Sequence, residues 1–491
     1  MKSIAFNARS EFRGLLLGLA RVLKEKHGST LHLYCSTEQV REYYSSRGTG
    51  LFDTVTSLRD LMNVATAPVS ESREILEEAR RNEARLGTTY GTFVLTNRHF
   101  GRGFSLGGFR HPRSRYSENS TATQLLHAYN MRFAFWEREF REKSITLNLN
   151  GNKESQSVAR LHGISSRAII GSRYKHYHYW CENEYFESEA IARAYRSIAT
   201  APLRDVVAPY DSHMQYRVTF MREMGLPRAL YDMGRMVAKH AYWRLRGYEK
   251  AKGYYMTEEM LFYWRRWKST RDLTGPRVSR LSDLEGRPFV FFPLHAEPES
   301  SLQTASPEYF SQLWAIASLA RDLPAGYTLA VKETYQTQGR RPDNFYDQIR
   351  EFKNVVLLDL LELGPEVVRK ADAVATITGT AGLEAAIMGK PVISFGRHNL
   401  YNVLPHVTVI EREEDLATAL RRVLIDGVDS VKAKADAARL LQAIIDNSFD
   451  MGSFDFNKPD VVEQTVVDDA AERLVANLAV ERPATGLERA V

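Results

Sequence analysis

The residues best suited to chemistry lie in the second half of the chain, where a buried apolar run ends in small residues. The run is Ala373 to Thr376, and five small residues follow it closely: Thr378, Gly379, Thr380, Ala381 and Gly382. Backbone N–H groups and the positive end of a helix would meet at such a turn, which is how proteins bind phosphate. The glycines permit close approach of the backbone, and the threonine hydroxyls add donors. Glu384, one turn into the helix, could accept hydrogen bonds from ribose hydroxyls. An ordinary strand–helix turn is the alternative interpretation.

Two further loops contain charged residues at the ends of apolar runs. Phe291 and Phe292 lead into His295, Glu297, Glu299 and Ser300. Carboxylates two residues apart on one loop suit acid–base chemistry or the stabilisation of a cationic centre. Either carboxylate could instead cap the next helix or form a structural salt bridge. Lys332 ends another apolar run, and a lysine there could neutralise a bound phosphate. Arg340 lies eight residues further on.

Alternating strands and helices must position these loops. The second half of the chain predicts strands at Phe289–Phe292, Tyr327–Lys332, Val355–Leu358, Ala373–Thr376 and Pro391–Phe395, with helices between them. Apolar strands at this spacing indicate a parallel, doubly wound sheet with both faces covered. Ligands of such sheets bind beyond the carboxyl ends of the strands, where the three loops lie. The first half also opens with a βαβ pattern, but without a glycine-rich phosphate loop. The fold class is therefore α/β, with two Rossmann-like domains and a cleft between them.

The chain divides into five predicted segments, since 491 residues exceed one ordinary core. They are an α/β acceptor-binding domain (1–230), a basic aromatic helical linker (231–285), a nucleotide-binding Rossmann-like domain (286–455), a C-terminal helix that crosses back to the first domain (456–478) and a disordered tail (479–491).

Composition excludes several classes of protein. The 44% hydrophobic and 26% charged residues indicate a globular chain, and the two cysteines make a disulfide framework or a cysteine zinc site unexpected. The net charge of +6 suits an acidic or phosphate-bearing substrate, but the sequence contains no recognisable nucleic-acid module. A signal peptide and a membrane-spanning stretch are both absent from the pattern, so we expect a cytoplasmic protein.

Three basic or aromatic stretches have alternative interpretations. Residues 235–271 contain ten Lys or Arg against three Glu, interleaved with Tyr and Trp. This pattern predicts either a helical hairpin packed between the domains or a peripheral contact with the inner face of the membrane. The arginine-rich residues 96–121 predict either a mobile surface loop or a flap that binds an anionic acceptor. The segment from Tyr174 to Trp180 predicts an amphipathic edge strand rather than a metal site.

Together, the second-half motifs resemble those of the bacterial capsule polysaccharide biosynthesis family, a group of GT-B glycosyltransferases that includes retaining β-Kdo transferases using CMP-Kdo. The resemblance lies in Ala373 to Ala386, in Gly389-Lys390-Pro391-Val392-Ile393, and in the strand and loop from Phe291 to Ser301. Lys332 and Glu333 match a Lys-Glu-His-Pro segment of the family, but Thr334 and Tyr335 replace the His-Pro pair. His295 likewise stands where the family usually has Gln. The similarity covers about residues 288–406.

The resemblance implies a nucleotide-sugar donor and roles for the residues named above. Glu299 is expected to face the anomeric carbon, with Glu297 or His295 handling the acceptor proton. Lys332, Arg340, Ser300 and the turn from Thr378 to Gly382 are expected to bind the donor, together with Glu384. The sequence contains no Asp-x-Asp triplet, so neither a metal nor another cofactor is expected beyond the donor itself.

The resemblance implies a glycosyltransferase of capsule or lipopolysaccharide biosynthesis, with Kdo or a related ulosonic acid transferred from a CMP donor to a glycan or glycolipid acceptor. A UDP- or GDP-sugar donor is the nearest alternative, because a phosphate-binding turn does not read the base. A polyol phosphotransferase of the teichoic acid type would need the histidine that Thr334 replaces. A carbohydrate-binding subunit with a degenerate donor site is the non-catalytic alternative.

Overall fold

The computed structural model describes residues 2–97, 100–101, 120–205, 218–245, 255–297, 300–309, 311–335 and 337–479. Most of the arginine-rich stretch and residues 480–491 of the predicted tail lie outside these residues. The described chain forms two lobes, each built on a largely parallel sheet with helices on both faces.

The sheet of the first lobe has seven strands, one of which comes from the far end of the chain. The strands are β1 (Ser3–Asn7), β2 (Thr30–Cys35), β3 (Thr54–Ser57), β4 (Leu147–Leu149), β5 (Ser165–Gly171), β6 (Tyr177–Cys181) and β13 (Ser448–Asp450). Their order is β13-β6-β5-β4-β1-β2-β3, and β1 to β5 are parallel. Strand β6 is antiparallel to both its neighbours, β5 and β13. The predicted edge strand at Tyr174–Trp180 is therefore wrong, because β13 pairs with its outer side.

The described residues before position 206 contain eight helices around this sheet: α1 (Arg13–Glu25), α2 (Glu38–Arg47), α3 (Arg59–Asn63), α4 (Arg73–Leu86), α5 (Tyr90–Thr96), α6 (Ala122–Glu142), α7 (Lys153–Leu161) and α8 (Glu189–Ser197). Local sequence explains several of their ends. Thr121 and Gln124 form a reciprocal capping box at the start of α6. Ser188 caps α8 by accepting a hydrogen bond from the N–H of Ile191.

The sheet of the second lobe is entirely parallel and has six strands. They are β7 (Phe289–Pro293), β8 (Thr328–Lys332), β9 (Val355–Leu357), β10 (Ala373–Thr376), β11 (Val392–Ser394) and β12 (Val407–Val409). The order is β12-β11-β10-β7-β8-β9, so the direction of winding reverses between β7 and β10. Strands β7 and β10 are almost wholly buried, as expected for strands covered on both faces.

The helices of the second lobe are α11 (Ser300–Ala305), α12 (Gln312–Asp322), α13 (Phe345–Glu351), α14 (Gly364–Lys370), α15 (Thr380–Ile387), α16 (Leu416–Arg421) and α17 (Ser430–Asp446). A long hairpin of α9 (Leu226–Leu245) and α10 (Met256–Leu273) precedes this lobe. The predicted class of two Rossmann-like domains is confirmed by the two sheets.

Apolar packing joins the two lobes. Tyr179 and Ile191 of the first lobe share a core cluster with Leu440 and Ile444 of α17. Arg439 of α17 adds polar contacts, because its guanidinium donates to the backbone oxygens of Ile198 (2.6 Å) and Tyr195 (3.2 Å). The lobes are therefore held together close to α17.

The last helix, α18 (Gln464–Ala479), packs on the first lobe. Val467 and Leu474 belong to the same core cluster as the leucines of α1. The indole of Trp180 donates to the backbone oxygen of Ala470 (2.8 Å), and Arg167 donates to the side chain of Asn477. Strand β13 and helix α18 therefore complete the first lobe. Among the described residues, no helix is long and apolar enough to cross a membrane.

Candidate functional site

The fold brings two of the predicted loops together at the point where the strand order of the second sheet reverses. Strands β7 and β10 are neighbours, with Ala373 opposite Val290 and Val374 opposite Phe291. His295 follows β7 and Thr378 follows β10, so both residues lie at the carboxyl edge of the sheet. This edge is where ligands bind in open α/β sheets.

A buried histidine links these loops. The Nε2 atom of His295 accepts a hydrogen bond from the N–H of Thr378 (3.0 Å) and lies 3.2 Å from the hydroxyl of Thr376. Its Nδ1 lies 3.1 Å from Oε1 of Gln312, which also accepts from the N–H of His295 (2.6 Å). These partners assign the proton to Nδ1. Burial lowers the pKa of His295 to about 3, so the ring is neutral. The geometry therefore favours a positioning role over the predicted proton-transfer role.

The turn after β10 uses some of its own N–H groups to hold its shape. The N–H of Thr378 is bonded to His295, and the N–H of Gly379 donates to the hydroxyl of Thr376 (3.0 Å). The N–H groups that remain for a ligand are those of Thr380 and Ala381, because the first residues of a helix have no intrahelical acceptor. Thr380 is exposed and Ala381 partly exposed. Fewer N–H groups of the turn are therefore open to a phosphate than the sequence predicts.

The two glycines of the turn have a packing role. A Cβ atom on Gly382 would lie 2.5 Å from the hydroxyl of Tyr401, and one on Gly379 would lie 2.7 Å from Oγ1 of Thr376. The Tyr401 hydroxyl donates to the backbone oxygen of Gly379 (3.3 Å). Because neither glycine has a Cβ atom, Tyr401 and Thr376 can pack closely against the turn and stabilise it.

A cavity of about 340 Å³, here called the loop cavity, opens between the turn and the first lobe. Thr378, Thr380 and Leu383 line it from the second lobe, and the turn between β5 and β6 lines it from the first. Among the described residues that line it there is no carboxylate, whereas Arg173 and His398 are present. The hydroxyl oxygen of Thr378 is buried there without a hydrogen bond among the described residues. The loop cavity is therefore suited to an anion.

Arg173 is the basic residue that sequence reasoning missed. It lies in the β5–β6 turn with a φ of 65°, a strained conformation for a residue other than glycine. It is exposed, and it forms no ion pair with any residue that the structure describes. The positive charge of Arg173 acts across the cleft. Burial is the main cause of the lowered pKa of His295, and Arg173 is a minor one. The sequence offered no signal, because only the packing of the lobes brings Arg173 to this cavity.

Glu297 lies in a buried ion network centred on Arg341. Arg341 donates to Glu297, to both oxygens of Glu333 (2.8 and 3.0 Å) and to the backbone oxygen of His295 (2.7 Å). Burial opposes ionisation of Glu333, but Arg341 outweighs it and holds the pKa of Glu333 below its usual range. Burial raises the pKa of Glu297 to about 8. One guanidinium thus serves two carboxylates, and Glu333 is the one that it keeps ionised.

The remaining predicted residues are distributed around this network. Lys332 is buried, its ammonium group donates to the backbone oxygen of Glu333 (3.2 Å), and burial lowers its pKa to about 8. Arg340 lies over the ring of Phe262 (5.4 Å), so the adjacent Arg341 is the arginine that the structure places at the site. Burial raises the pKa of Glu384 to about 7, and Glu384 does not line the loop cavity.

Two predicted residues cannot be placed. Glu299 and the side chain of Ser300 lie outside the described residues. Their predicted roles stay predictions. The described part of the chain contains no cluster of three His, Cys, Asp or Glu residues that could hold a metal ion.

Two Rossmann-like lobes with a cleft between them form a GT-B fold. Residues 197–404, somewhat less than half of the chain, match the sequence model of the family described as "Capsule polysaccharide biosynthesis protein". This match confirms the resemblance to the capsule polysaccharide biosynthesis family stated above. No curated protein sequence matches the chain.

Solved structures are only distantly similar. A β-Kdo 2,7 transferase, KpsC of Thermosulfurimonas dismutans, is 14% identical, with 70% of this chain and 88% of that chain covered and a TM-score of 0.30. Anabaena HepE in complex with UDP and glucose is 12% identical, with 97% and 100% covered and a TM-score of 0.31. S. aureus MnaA with UDP is 8% identical, with 98% and 99% covered and a TM-score of 0.28.

The raised pKa of Glu297 predicts a dependence of stability on pH. The pKa is about 8 in the folded protein, against a reference value of 4.5. The stabilising contribution of this carboxyl is therefore fully present below about pH 4.5 and is lost as the pH rises through about 8. Between these values the free energy of unfolding should fall by up to ~1.4 kcal/mol per pH unit because of Glu297.

A Glu297→Gln variant should show a smaller loss of stability between pH 6 and pH 8 than the wild type, as measured by chemical denaturation at each pH. The slope is the readout, because the variant is expected to be less stable at every pH. Glu285→Gln, at an exposed position, is the control and should keep the wild-type slope. Equal slopes in all three proteins would show that Glu297 does not take up the proton.

Proposed function

We propose that the chain is a glycosyltransferase of bacterial surface polysaccharide biosynthesis whose nucleotide-sugar donor binds with its phosphate in the loop cavity. The observation that supports this most directly is the charge of that cavity, whose described lining residues include Arg173 and no carboxylate. The N–H groups of Thr380 and Ala381 lie at the start of α15, where an anion is favoured. The cavity also lies at the switch point of a doubly wound sheet.

The donor that we propose is a CMP-activated ulosonic acid such as CMP-Kdo. Support comes from the sequence, namely the Lys332-Glu333 pair and the turn from Thr378 to Gly382 with the strand that follows. Kdo carries a carboxylate in addition to the donor phosphate, and Arg173 would suit either anion. A UDP- or GDP-sugar fits the same phosphate geometry and is the alternative donor.

The described residues suggest a division of labour in the reaction. As the bond from the anomeric carbon to the phosphate oxygen breaks, negative charge grows on the phosphate, and Arg173 and the α15 N–H groups would stabilise it. His295, neutral and bonded to Thr378, keeps the turn in place. We propose that Glu299 faces the anomeric carbon, because Glu297 is bound to Arg341.

One observation favours the non-catalytic alternative. Tyr335 occupies the place of the proline in the family's Lys-Glu-His-Pro segment, and its ring lies 5.0 Å from the Lys332 ammonium group and 4.7 Å from the Phe220 ring. Aromatic packing thus fills this segment. A degenerate site would bind no nucleotide, which separates the two possibilities.

A thermal-shift series with CMP, CDP, UDP, GDP and ADP tests the donor site, since a ligand that binds only the folded state raises the melting temperature. We expect CMP to give the largest shift. Arg173→Gln should weaken nucleotide binding about tenfold, the loss of one charged hydrogen bond.

The matched control for Arg173→Gln is Lys175→Gln, since Lys175 lies in the same turn with a φ of 49° but does not line the loop cavity. It should bind nucleotide as the wild type does. A larger shift with UDP or GDP would overturn the CMP assignment, and no shift with any nucleotide would favour the degenerate site.

Glu299→Gln tests the carboxylate proposed at the anomeric carbon. Loss of its negative charge should lower sugar transfer by at least about 100-fold while nucleotide binding stays unchanged, because a charge that acts only in the transition state affects the rate. Transfer from a CMP-sugar and the nucleotide-induced shift are measured on the same preparation. A variant with full transfer activity would remove Glu299 from the mechanism.

We also propose that the α9–α10 hairpin contacts an anionic membrane surface. Its two helices contain eight Lys or Arg against four Asp or Glu. Large apolar side chains are exposed on it, including Leu245 (87% exposed) and Tyr242 (50%) at the end of α9. Lys239 lies 4.7 Å from the ring of Trp243. Basic helices with exposed aromatic residues suit the membrane interface.

Cosedimentation with vesicles tests this contact. The wild type should bind vesicles that contain phosphatidylglycerol and not vesicles of phosphatidylcholine alone. A Tyr242→Ser, Leu245→Ser variant should lose most of this binding. The control changes two equally exposed apolar residues of the second lobe, Ile425→Ser and Val431→Ser, and should bind as the wild type does. Equal binding to vesicles with and without phosphatidylglycerol would contradict the proposal, as would unchanged binding by the Tyr242→Ser, Leu245→Ser variant.

A further inference from the structure

A second and larger cavity adjoins the loop cavity. It has a volume of about 480 Å³ and is here called the flank cavity. His398, Asn399 and Leu400 line both cavities, so the two spaces meet at this segment of the second lobe. The other wall of the flank cavity comes from α7, β5, the segment that follows β6, and α8 of the first lobe. Its size lies within the range of small-molecule sites and is sufficient for a short glycan.

The charge of the flank cavity is opposite to that of the loop cavity. Four carboxylates line it (Glu182, Glu184, Glu187 and Glu189), against the two guanidinium groups of Arg160 and Arg397, which gives a net charge of −2 with His398 neutral. Salt bridges join Glu184 to Arg160, and Glu189 to Arg193 and Arg196. Glu187 binds His398 across the cleft (2.7 Å). A phosphate or a sugar carboxylate would be repelled here, whereas it would be attracted by Arg173 in the loop cavity. The charge of the loop cavity therefore favours anionic ligands, and the charge of the flank cavity disfavours them.

The flank cavity also contains polar atoms without partners. Ser166 is only 6% exposed, and its hydroxyl oxygen has no hydrogen bond among the described residues. Asn402, on the opposite lobe, donates through its amide to the backbone oxygen of Gly396 (2.8 Å), but its side-chain oxygen has no donor in the described structure. Buried polar atoms are costly to leave unpaired. A ligand with hydroxyl groups can both accept from Ser166 and donate to Asn402.

We propose that the flank cavity is the acceptor subsite and that it takes a sugar without an anionic group. This inference rests on the proposed function, because an acceptor implies a donor in the adjoining loop cavity. Ser166 and Asn402 bind sugar hydroxyls from the two lobes, and Ile164, Ile191 and Val403 offer apolar surface to the sugar ring. The carboxylates accept hydrogen bonds from further hydroxyls and exclude uronic acids and phosphorylated sugars.

Saturation-transfer NMR with three disaccharides, in the presence of the nucleotide that stabilises the protein most, tests this inference. Cellobiose and N,N′-diacetylchitobiose are uncharged, and cellobiouronic acid is the same size with one carboxylate. We expect the uncharged disaccharides to bind and the uronic acid to bind at least about fivefold more weakly.

Two pairs of proteins locate the binding. Ala192→Trp fills the flank cavity from α8 and should abolish disaccharide binding, whereas Ser197→Trp, on an exposed position of the same helix, should not. Ser166→Ala should weaken disaccharide binding about fivefold, one neutral hydrogen bond, without lowering the melting temperature of the free protein. If the hydroxyl had only a structural role, Ser166→Ala would lower the melting temperature of the free protein and leave disaccharide binding unchanged.

Three outcomes would overturn the inference. They are nucleotide binding without binding of either uncharged disaccharide, equal or tighter binding of cellobiouronic acid, and unchanged disaccharide binding by Ala192→Trp. Each of them leaves the donor proposal intact, because the nucleotide-induced shift is measured separately. Loss of both nucleotide and disaccharide binding in the wild type would overturn the donor proposal and, with it, the acceptor subsite.

Discussion

A neutral imidazole is the group on which the architecture of the site depends. His295 can accept the N–H of Thr378 because its ring is neutral and carries its proton on Nδ1, which faces Gln312. Gln312 fixes the ring from the other side and also binds both backbone groups of His295. These bonds join β7, α12 and the turn after β10 into one unit. The N–H groups of Thr380 and Ala381 are then positioned to donate hydrogen bonds to an anion.

The Arg341 network performs the corresponding task for the loops that follow β7 and β8. A buried guanidinium with one carboxylate from each loop fixes their separation, and its bond to the backbone oxygen of His295 connects it with the imidazole. Tyr346 and Thr337 add hydrogen bonds to Glu333, so this carboxylate is fully satisfied. Removal of one partner from such a group is costly, because the remaining charge would be buried without compensation.

The sequence predicted the elements of the second lobe well because its strands are buried on both faces. Such strands appear as uninterrupted apolar runs, and β10 begins and ends at the predicted residues. The helix after it begins at Thr380, so Glu384 lies about one turn into that helix. The parallel pairing of the strands followed from the alternation of strands and helices.

Individual side chains were harder to predict, because their roles depend on contacts between segments that lie far apart in the chain. Arg340 and Arg341 are indistinguishable by type and spacing, and only the packing of the loop buries the second of them. Arg173 enters the loop cavity from the other lobe, which no local pattern can reveal. Strand β13 was missed for the same reason, since three residues near position 449 show no strand signal until β6 is beside them.

The contribution of β13 and α18 to the first lobe affects how the protein is made. During synthesis, the first 200 residues leave the ribosome without the strand that covers β6 and without the helix that covers α1. The whole second lobe must be translated before these two elements become available. The lobe that begins the chain is therefore completed last, and it does not correspond to a continuous stretch that could be expressed as a separate domain. The same arrangement gives two covalent crossings between the lobes, which limits the directions in which the cleft can open.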